Sequence, residues 1–332
     1  MVNRVRLWIP MCFAALALAL PDSGALGVTL GTDGTAFTVD GTRRFLLGAS
    51  YYGALGAPND FVERDLDDLS RLGFNWIRVW ATWDAFGNNV SAVNRDGGAR
   101  EPYLSRLKAL ARTADKRGMI VDVTLSRGRL LPAQAAHLRA VETLARALKP
   151  FRNVYFDLAN EHDVRDARFV SFAELKALRD CVKAADAQRL VTASSGDPGP
   201  EEMRRYLFEA ELDFICPHRP RKASSPGETA DMTAQHIARM KELGQLAPVH
   251  YQEPFRRDYG TWQPELKDFI TDLRNAKAGG AAGWCFHNGS RSGSEAERPR
   301  RCFDMRASEG RLMDQLDPVE RDFVNQAASC LR

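Results

Sequence analysis

Hydrophobic and polar positions along this chain switch repeatedly between a helical period and short apolar runs. In FVERDLDDLSRLG, Phe61, Leu66, Leu69 and Leu72 recur at helical spacing, Gly73 supplies a left-handed stop, and the run NWIRVW that follows reads as a strand. The phrase returns downstream. Pro102 stands where a first helical residue belongs, Leu104, Leu107 and Leu110 form the stripe, Gly118 closes it and MIVDVTL is the strand. KELGQLAPVHY and NAKAGGAAGWCF repeat it again. Helices of this length between short apolar strands force parallel pairing through helical crossovers.

The strand candidates are residues 45–52, 75–83, 119–126, 154–161, 190–196, 213–218, 248–253 and 280–287. Eight βα units in about three hundred residues predict an α/β fold, a single (β/α)8 TIM barrel. The segment 28–44 is expected to form a short N-terminal β-hairpin, and long loops follow strands two, six and eight on the C-terminal face. A doubly wound dinucleotide-binding sheet would also alternate, but SYYGALG after the first strand lacks the G-x-G-x-x-G spacing.

Composition narrows the function. With 44% hydrophobic and 27% charged residues the chain is ordinary globular protein, which excludes a collagen, a coiled coil or a disordered tail. Its 46 basic and 43 acidic side chains nearly balance at +3, so no nucleic-acid partner is expected. Arg4 and Arg6 precede an apolar run from Leu7 to Leu20, with small residues at Ala25 and Gly27. That pattern predicts a signal peptide over 1–27, with an uncleaved anchor as the alternative, and a secreted or periplasmic catalytic domain over 28–332. No later stretch is expected to span a membrane. The five remaining cysteines are an odd number.

In such a barrel, chemistry belongs at the C-terminal ends of the strands. Strand four ends in Asn160-Glu161 and strand seven in Gln252-Glu253. By alternation Glu161 shares a face with Asp157 and Tyr155, and Glu253 with Tyr251 and Val249; if those faces point inward, the carboxylates converge. Two facing carboxylates are the minimum for cleaving a glycosidic bond with retention, one protonated and one ionised. Repulsion from the ionised one is expected to raise the pKa of the other and keep it loaded near neutral pH.

An Asn-Glu pair closing strand four, a second Glu closing strand seven, an Arg on strand two and a Trp on strand eight resemble the clan A glycoside hydrolases, most nearly the cellulase family, glycoside hydrolase family 5, over residues 41–288. The resemblance implies that Glu161 is the acid/base, that Asn160 holds the sugar 2-hydroxyl, that Glu253 is the nucleophile supported by Arg78, and that Trp284 is a sugar platform. His218 aligns with a strand-six group near the nucleophile. The sequence departs from the family at strand three, where Thr124 and Ser126 replace a common His, and at His162, where Pro often follows the pair.

Each residue has a second reading. Arg78 could pair inside the barrel with Asp157 or Asp122, and Glu253 could form a rim ion pair with Arg256. Tyr51, Tyr52, Trp80, Trp83 and Trp284 could stack on a pyranose or pack in the core. Arg219, Arg221, Lys222, Arg256, Arg257, Arg298, Arg300 and Arg301 suit an acidic glycan, or else belong to a mixed surface balanced by Glu295, Glu297 and Asp304. Strand one carries no H-x-H and the histidines are dispersed, so no metal or other cofactor is expected. The expected partner is an oligo- or polysaccharide that is cleaved; the alternative is a barrel derived from a glycosidase that binds a glycan or a protein without turnover.

Overall fold

A computed structural model of the chain describes residues 27–258, 261–287 and 303–332, so residues 1–26 of the segment expected to be a signal peptide, and Arg298, Arg300 and Arg301, lie outside the described residues. The barrel strands are β1 (Leu46–Ser50), β2 (Trp76–Trp80), β3 (Ile120–Thr124), β4 (Val154–Asp157), β5 (Val191–Thr192 and Ser194–Ser195), β6 (Cys216–Pro217), β7 (His250–Tyr251) and β8 (Gly283–Phe286). Every one falls inside a segment read as a strand from the sequence. All neighbours are parallel: β7, β8, β1, β2, β3, β4 and the first piece of β5 form one sheet, and the second piece of β5 pairs with β6. A single bridge between Ile215 and Val249, with the His250 N–H donating to the Ile215 carbonyl at 2.9 Å, closes β6 onto β7 and completes the ring.

Helices fill the crossovers: α1 (Asn59–Arg71), α2 (Tyr103–Asp115), α3 (Gln134–Leu148), α4 (Phe172–Ala185), α5 (Pro200–Arg204), α6 (Ser225–Glu242) and α7 (Leu266–Ala278). Their buried stripes match the sequence period. Leu66 and Leu69 of α1 and Leu104, Leu107 and Leu110 of α2 are buried against the barrel wall. Gly73 ends the first crossover at φ 85°, and a Cβ there would sit 2.6 Å from the Ala328 Cβ. The stop is therefore fixed both by its backbone and by close approach of the C-terminal helix Pro318–Gln326 region.

The leading segment is more than a hairpin. Leu30–Asp33, Ala36–Val39 and Thr42–Arg44 form a three-stranded antiparallel sheet. It presents Phe37, which meets Phe214 edge-on at 5.0 Å and His250 at 5.2 Å, and so seals the N-terminal end of the barrel. With Leu30, Leu46, Trp76, Ile120 and Tyr155 this makes an apolar floor. Cys216 and Cys285 also lie inside the barrel, as thiols without a disulfide.

The floor tolerates the Trp76 indole only because β1 has no side chain beside it. A Cβ on Gly48 would fall 1.7 Å from the indole. Replacing Gly48 with Ala should therefore displace Trp76 and lower stability by about 1–3 kcal/mol. Urea unfolding would measure this, and an unchanged midpoint would show that the floor is not closely packed.

Candidate active site

Above the apolar floor the barrel interior becomes ionic, and Arg78 of β2 is its centre. Its side chain is wholly buried. Nη1 donates to Glu253 Oε1 at 2.6 Å and to the Tyr52 hydroxyl at 3.3 Å; Nη2 donates to Asp157 Oδ2 at 2.9 Å and Asn160 Oδ1 at 2.8 Å; Nε donates to Thr124 Oγ1 at 3.1 Å. Asp122 stands 3.3 Å from Nε. Arg78 thus contacts Glu253 and pairs with interior aspartates at once, so the two contacts read from the sequence are not alternatives. Thr124, where the family commonly has His, serves as one of its acceptors. Burial pushes the Asp122 carboxyl up to about 7 despite Arg78.

Glu161 and Glu253 do converge. One oxygen of each, with one nitrogen of His218, all lie within 4.8 Å of one another. Alternation along the strands is not what brings them there. Tyr251 and Val249 face outward into the helical shell, whereas His250 and Gln252 point inward, toward Tyr155 and Asp122. The β7 pairing stops at Tyr251, and in the bend that follows Glu253 turns inward directly after Gln252. Similarly, β4 ends at Asp157, and Glu161 lies beyond it at φ 48°, a left-handed backbone that only a few per cent of non-glycine residues adopt. The Glu161 N–H donates to the Ser194 hydroxyl at 3.0 Å, which ties this strained residue to β5.

The two carboxylates differ in surroundings. Glu253 is buried, which by itself would raise its pKa, but His218, His287, Arg78 and Arg221 outweigh burial and hold it well below the usual carboxylate range. Its Oε2 faces Arg221 Nη2 at 2.7 Å, His287 Nε2 at 3.6 Å and His218 Nδ1 at 3.7 Å, while its Oε1 also accepts from the Tyr52 hydroxyl at 3.1 Å. The anticipated rim pair with Arg256 is not what holds it: Arg256 Nη1 lies 3.2 Å from His287 Nε2 instead.

Glu161 departs from expectation. Rather than being raised by its neighbour, its pKa is lowered, first by the hydrogen bond to His218, against burial and the Glu253 charge, with Arg168 adding to the effect. His218 Nδ1 is 3.3 Å from Oε1, and Arg168 Nη1 donates to Oε2 at 2.6 Å. In this state both carboxylates are ionised.

Two expected contacts with sugar are overturned. Trp284 is fully buried on the outer face of β8, with Nε1 donating to Asp272 Oδ2 of α7 at 2.6 Å and its ring edge-on to Phe323 at 5.4 Å. Tyr51 is likewise buried outward, donating to Asp65 Oδ2 of α1 at 2.8 Å. In both cases the side chain alternates to the helix side of the sheet. Tyr52 takes the place anticipated for Tyr51. It forms an aromatic group with Trp80 at 5.3 Å and Trp83 at 5.1 Å, and Trp80 also covers the Arg78 guanidinium at 5.5 Å. Trp80 and Trp83 remain partly exposed at the mouth, where a pyranose face could stack.

Three residues at the site were not foreseen in these positions. His287 is the next residue after β8, and Arg221 and Arg168 reach in from the loops after β6 and β4. Of the other basic residues of the β6 and β7 loops, Arg256 meets His287, while Arg219 turns to the Ser225 carbonyl, Lys222 to Glu228 and Arg257 to Asp317. Glu161, His218 and Glu253 could also be read as a two-carboxylate, one-imidazole cation site. Guanidiniums on both carboxylates supply the positive charge that a cation would otherwise bring, and would repel one.

No family model matches the chain, and no curated protein matches it either. Solved structures do. A glycoside hydrolase family 5 structure from Bacteroides vulgatus matches 90% of this chain and 69% of its own at TM-score 0.67 and 16% identity. A family 5 mannosidase from Rhizomucor miehei in complex with mannosyl-fructose matches 92% and 97% at TM-score 0.64 and 14% identity. An endo-1,4-β-D-mannanase from Thermotoga petrophila matches 86% and 99% at TM-score 0.58 and 15% identity. The chain spans 65% and 61% of two larger structures it matches, a glycoside hydrolase and a putative one from Bacteroides vulgatus. The fold is therefore a (β/α)8 barrel similar to those of these glycoside hydrolase family 5 structures. Within this fold, Glu161 and Glu253 stand where the sequence resemblance put its carboxylate pair.

The revised position of Trp284 can be checked. Trp284→Phe removes the donor to Asp272, whose carboxyl burial pushes up to about 6. It should cost about 1–3 kcal/mol of stability and leave saccharide affinity unchanged. Calorimetric unfolding and saccharide titration read the two effects separately, and lost affinity without lost stability would restore Trp284 as a platform.

Proposed function

We propose that the protein is an exported retaining glycoside hydrolase acting on β-linked saccharides, with Glu253 as nucleophile and Glu161 as acid/base. The observation that carries this reading is the placement of the two carboxylates, with oxygens within 4.8 Å of one another at the C-terminal mouth. Retention requires a separation of about 5–5.5 Å, whereas inversion needs about 6.5–9.5 Å to admit a water. The similar structures include a mannosidase and an endo-1,4-β-D-mannanase, and a β-mannoside is the first substrate to try.

In this mechanism Glu253, kept anionic by Arg78, attacks the anomeric carbon while Glu161 gives its proton to the departing oxygen. Glu161 then takes a proton from the water that cleaves the glycosyl ester. Asn160, its Oδ1 fixed by Arg78 at 2.8 Å, has its amide hydrogens free of that bond to meet the sugar 2-hydroxyl. Tyr52, Trp80 and Trp83 line the apolar side. His218 lies between both carboxylates and can steady either charge.

Glu253→Gln should nearly abolish turnover, whereas Glu161→Gln should lower it by about 10²- to 10⁴-fold, least on substrates with activated leaving groups. Proton NMR of the first product should show the β-anomer. Appearance of the α-anomer would rule out retention.

The pH dependence follows from the two pKa directions. Activity should rise as Glu253 ionises and fall as Glu161 loses its proton, and both groups lie below their ordinary values in the free protein. The kcat/KM profile, which reports free-enzyme groups, should peak on the acid side and decline through neutrality. A plateau extending to alkaline pH would contradict this assignment.

A second reading has one observation in its favour: guanidiniums cover an oxygen of each carboxylate, as they would in a cleft that binds without turnover. Saccharide binding that survives in both Gln variants, with no wild-type cleavage of β-mannosides, β-glucans or aryl β-glycosides, would establish it.

A further inference from the structure

Resting on the proposed glycosidase chemistry, we propose that Arg168 is a specificity-determining residue that receives an anionic substituent, a carboxylate or a sulfate, on the sugar at the leaving-group side of the scissile bond.

The acid/base protonates the departing oxygen, so whatever adjoins its outer oxygen faces the departing sugar. That neighbour is Arg168. Asp166 orients its guanidinium, accepting from Nε at 3.1 Å and Nη2 at 2.8 Å, which leaves Nη1 to reach Glu161 Oε2 at 2.6 Å. The Arg168 side chain is 36% exposed, so a ligand can reach it from solvent.

The groups that face the Glu161 carboxyl come from three directions. His218 approaches from β6 at 3.3 Å, Glu253 from beyond β7, and Arg168 from the loop that Glu161 itself begins. His218 and Glu253 are buried. Glu161 is held by its left-handed backbone and by the bond to Ser194. Arg168 is thus the member of the group with room to move.

Chemistry then makes a demand on it. Glu161 can donate a proton only after becoming neutral, and a neutral carboxyl no longer forms an ion pair with the guanidinium, which weakens their bond. A neutral sugar would leave Nη1 without an anionic partner, while an anion on the leaving sugar replaces the weakened bond. The same exchange removes from Glu161 a charge that favours its ionised form. Binding of the correct sugar and loading of the acid are thereby linked.

The test compares a neutral β-linked disaccharide with analogues carrying a uronate or a 6-sulfate on the leaving sugar. The wild type should favour at least one anionic form by about 10- to 100-fold in kcat/KM, and which one distinguishes carboxylate from sulfate. Added salt should shrink the preference. In Arg168→Gln the preference should vanish, while turnover of the neutral analogue rises and the alkaline limb of its profile moves to higher pH; Arg168→Lys should restore part of the preference. Equal kcat/KM for neutral and anionic forms in the wild type overturns the proposal and leaves the glycosidase reading standing. Equal losses on both substrates in Arg168→Gln, without movement of the alkaline limb, also overturn it. If none of the disaccharides is cleaved, the glycosidase reading fails and this proposal with it.

Discussion

One fully buried guanidinium organises the upper half of this barrel. Arg78 carries a fixed positive charge into a space closed below by aromatic side chains and reachable only from the mouth. An unpaired ion there would cost several kcal/mol, so the surrounding residues must supply acceptors. They come from four other strands or strand ends: Thr124 and Asp122 on β3, Asp157 and Asn160 on and after β4, Tyr52 after β1 and Glu253 after β7. A single residue thus fixes Asn160 and Glu253 at once, and does so through planar, directional donors that a lysine could not reproduce. The position of the second carboxylate follows, because Glu161 is the next residue after Asn160.

That dependence explains what was legible in the sequence. Helical and apolar periods marked all eight barrel strands, because each crossover repeats the same burial problem. The Asn-Glu and Gln-Glu dipeptides were found because strand ends are where a barrel displays chemistry. Alternation gave the right side for Glu161, which shares the inward face of Asp157 and Tyr155, and the wrong side for Glu253. β7 stops pairing at Tyr251 and β4 at Asp157, so the pleat that sets inward and outward faces no longer applies at Glu253 and Glu161. Both still point inward. The interior positive charge and local turns, rather than the pleat, decide their direction.

The misplaced aromatics show the opposite limit. Trp284 and Tyr51 were read as cleft residues from their nearness to strand ends, yet both lie on the side of the sheet facing α7 and α1, each donating to a buried acid on that helix. Asp272 and Asp65 are helix positions with no sequence signal linking them to a strand residue. The same is true of the loop residues. Nothing in RPRKASSPGET distinguishes Arg221, which reaches Glu253, from Lys222, which reaches Glu228. One-residue differences of direction in a loop are set by backbone turns that composition does not encode.

Electrostatics separates the two carboxylates less than their proposed roles require. A nucleophile and an acid need pKa values pushed apart, and here both are pushed down. For Glu253 the cause lies partly in the barrel wall, since Arg78 and His287 cannot leave their buried positions. For Glu161 it lies partly in Arg168, which sits near the surface on a loop. Glu253 is also held by Arg221 of the β6 loop, but Arg78 and His287 stay in place whatever arrives from solvent, whereas the more exposed Arg168 contact to Glu161 is open to exchange. On the proposed mechanism, the asymmetry that the chemistry needs would arise when a ligand changes the partner of Arg168. In the proposed chemistry the reacting groups stand just past two strand ends, and a loop arginine would decide when one of them carries a proton.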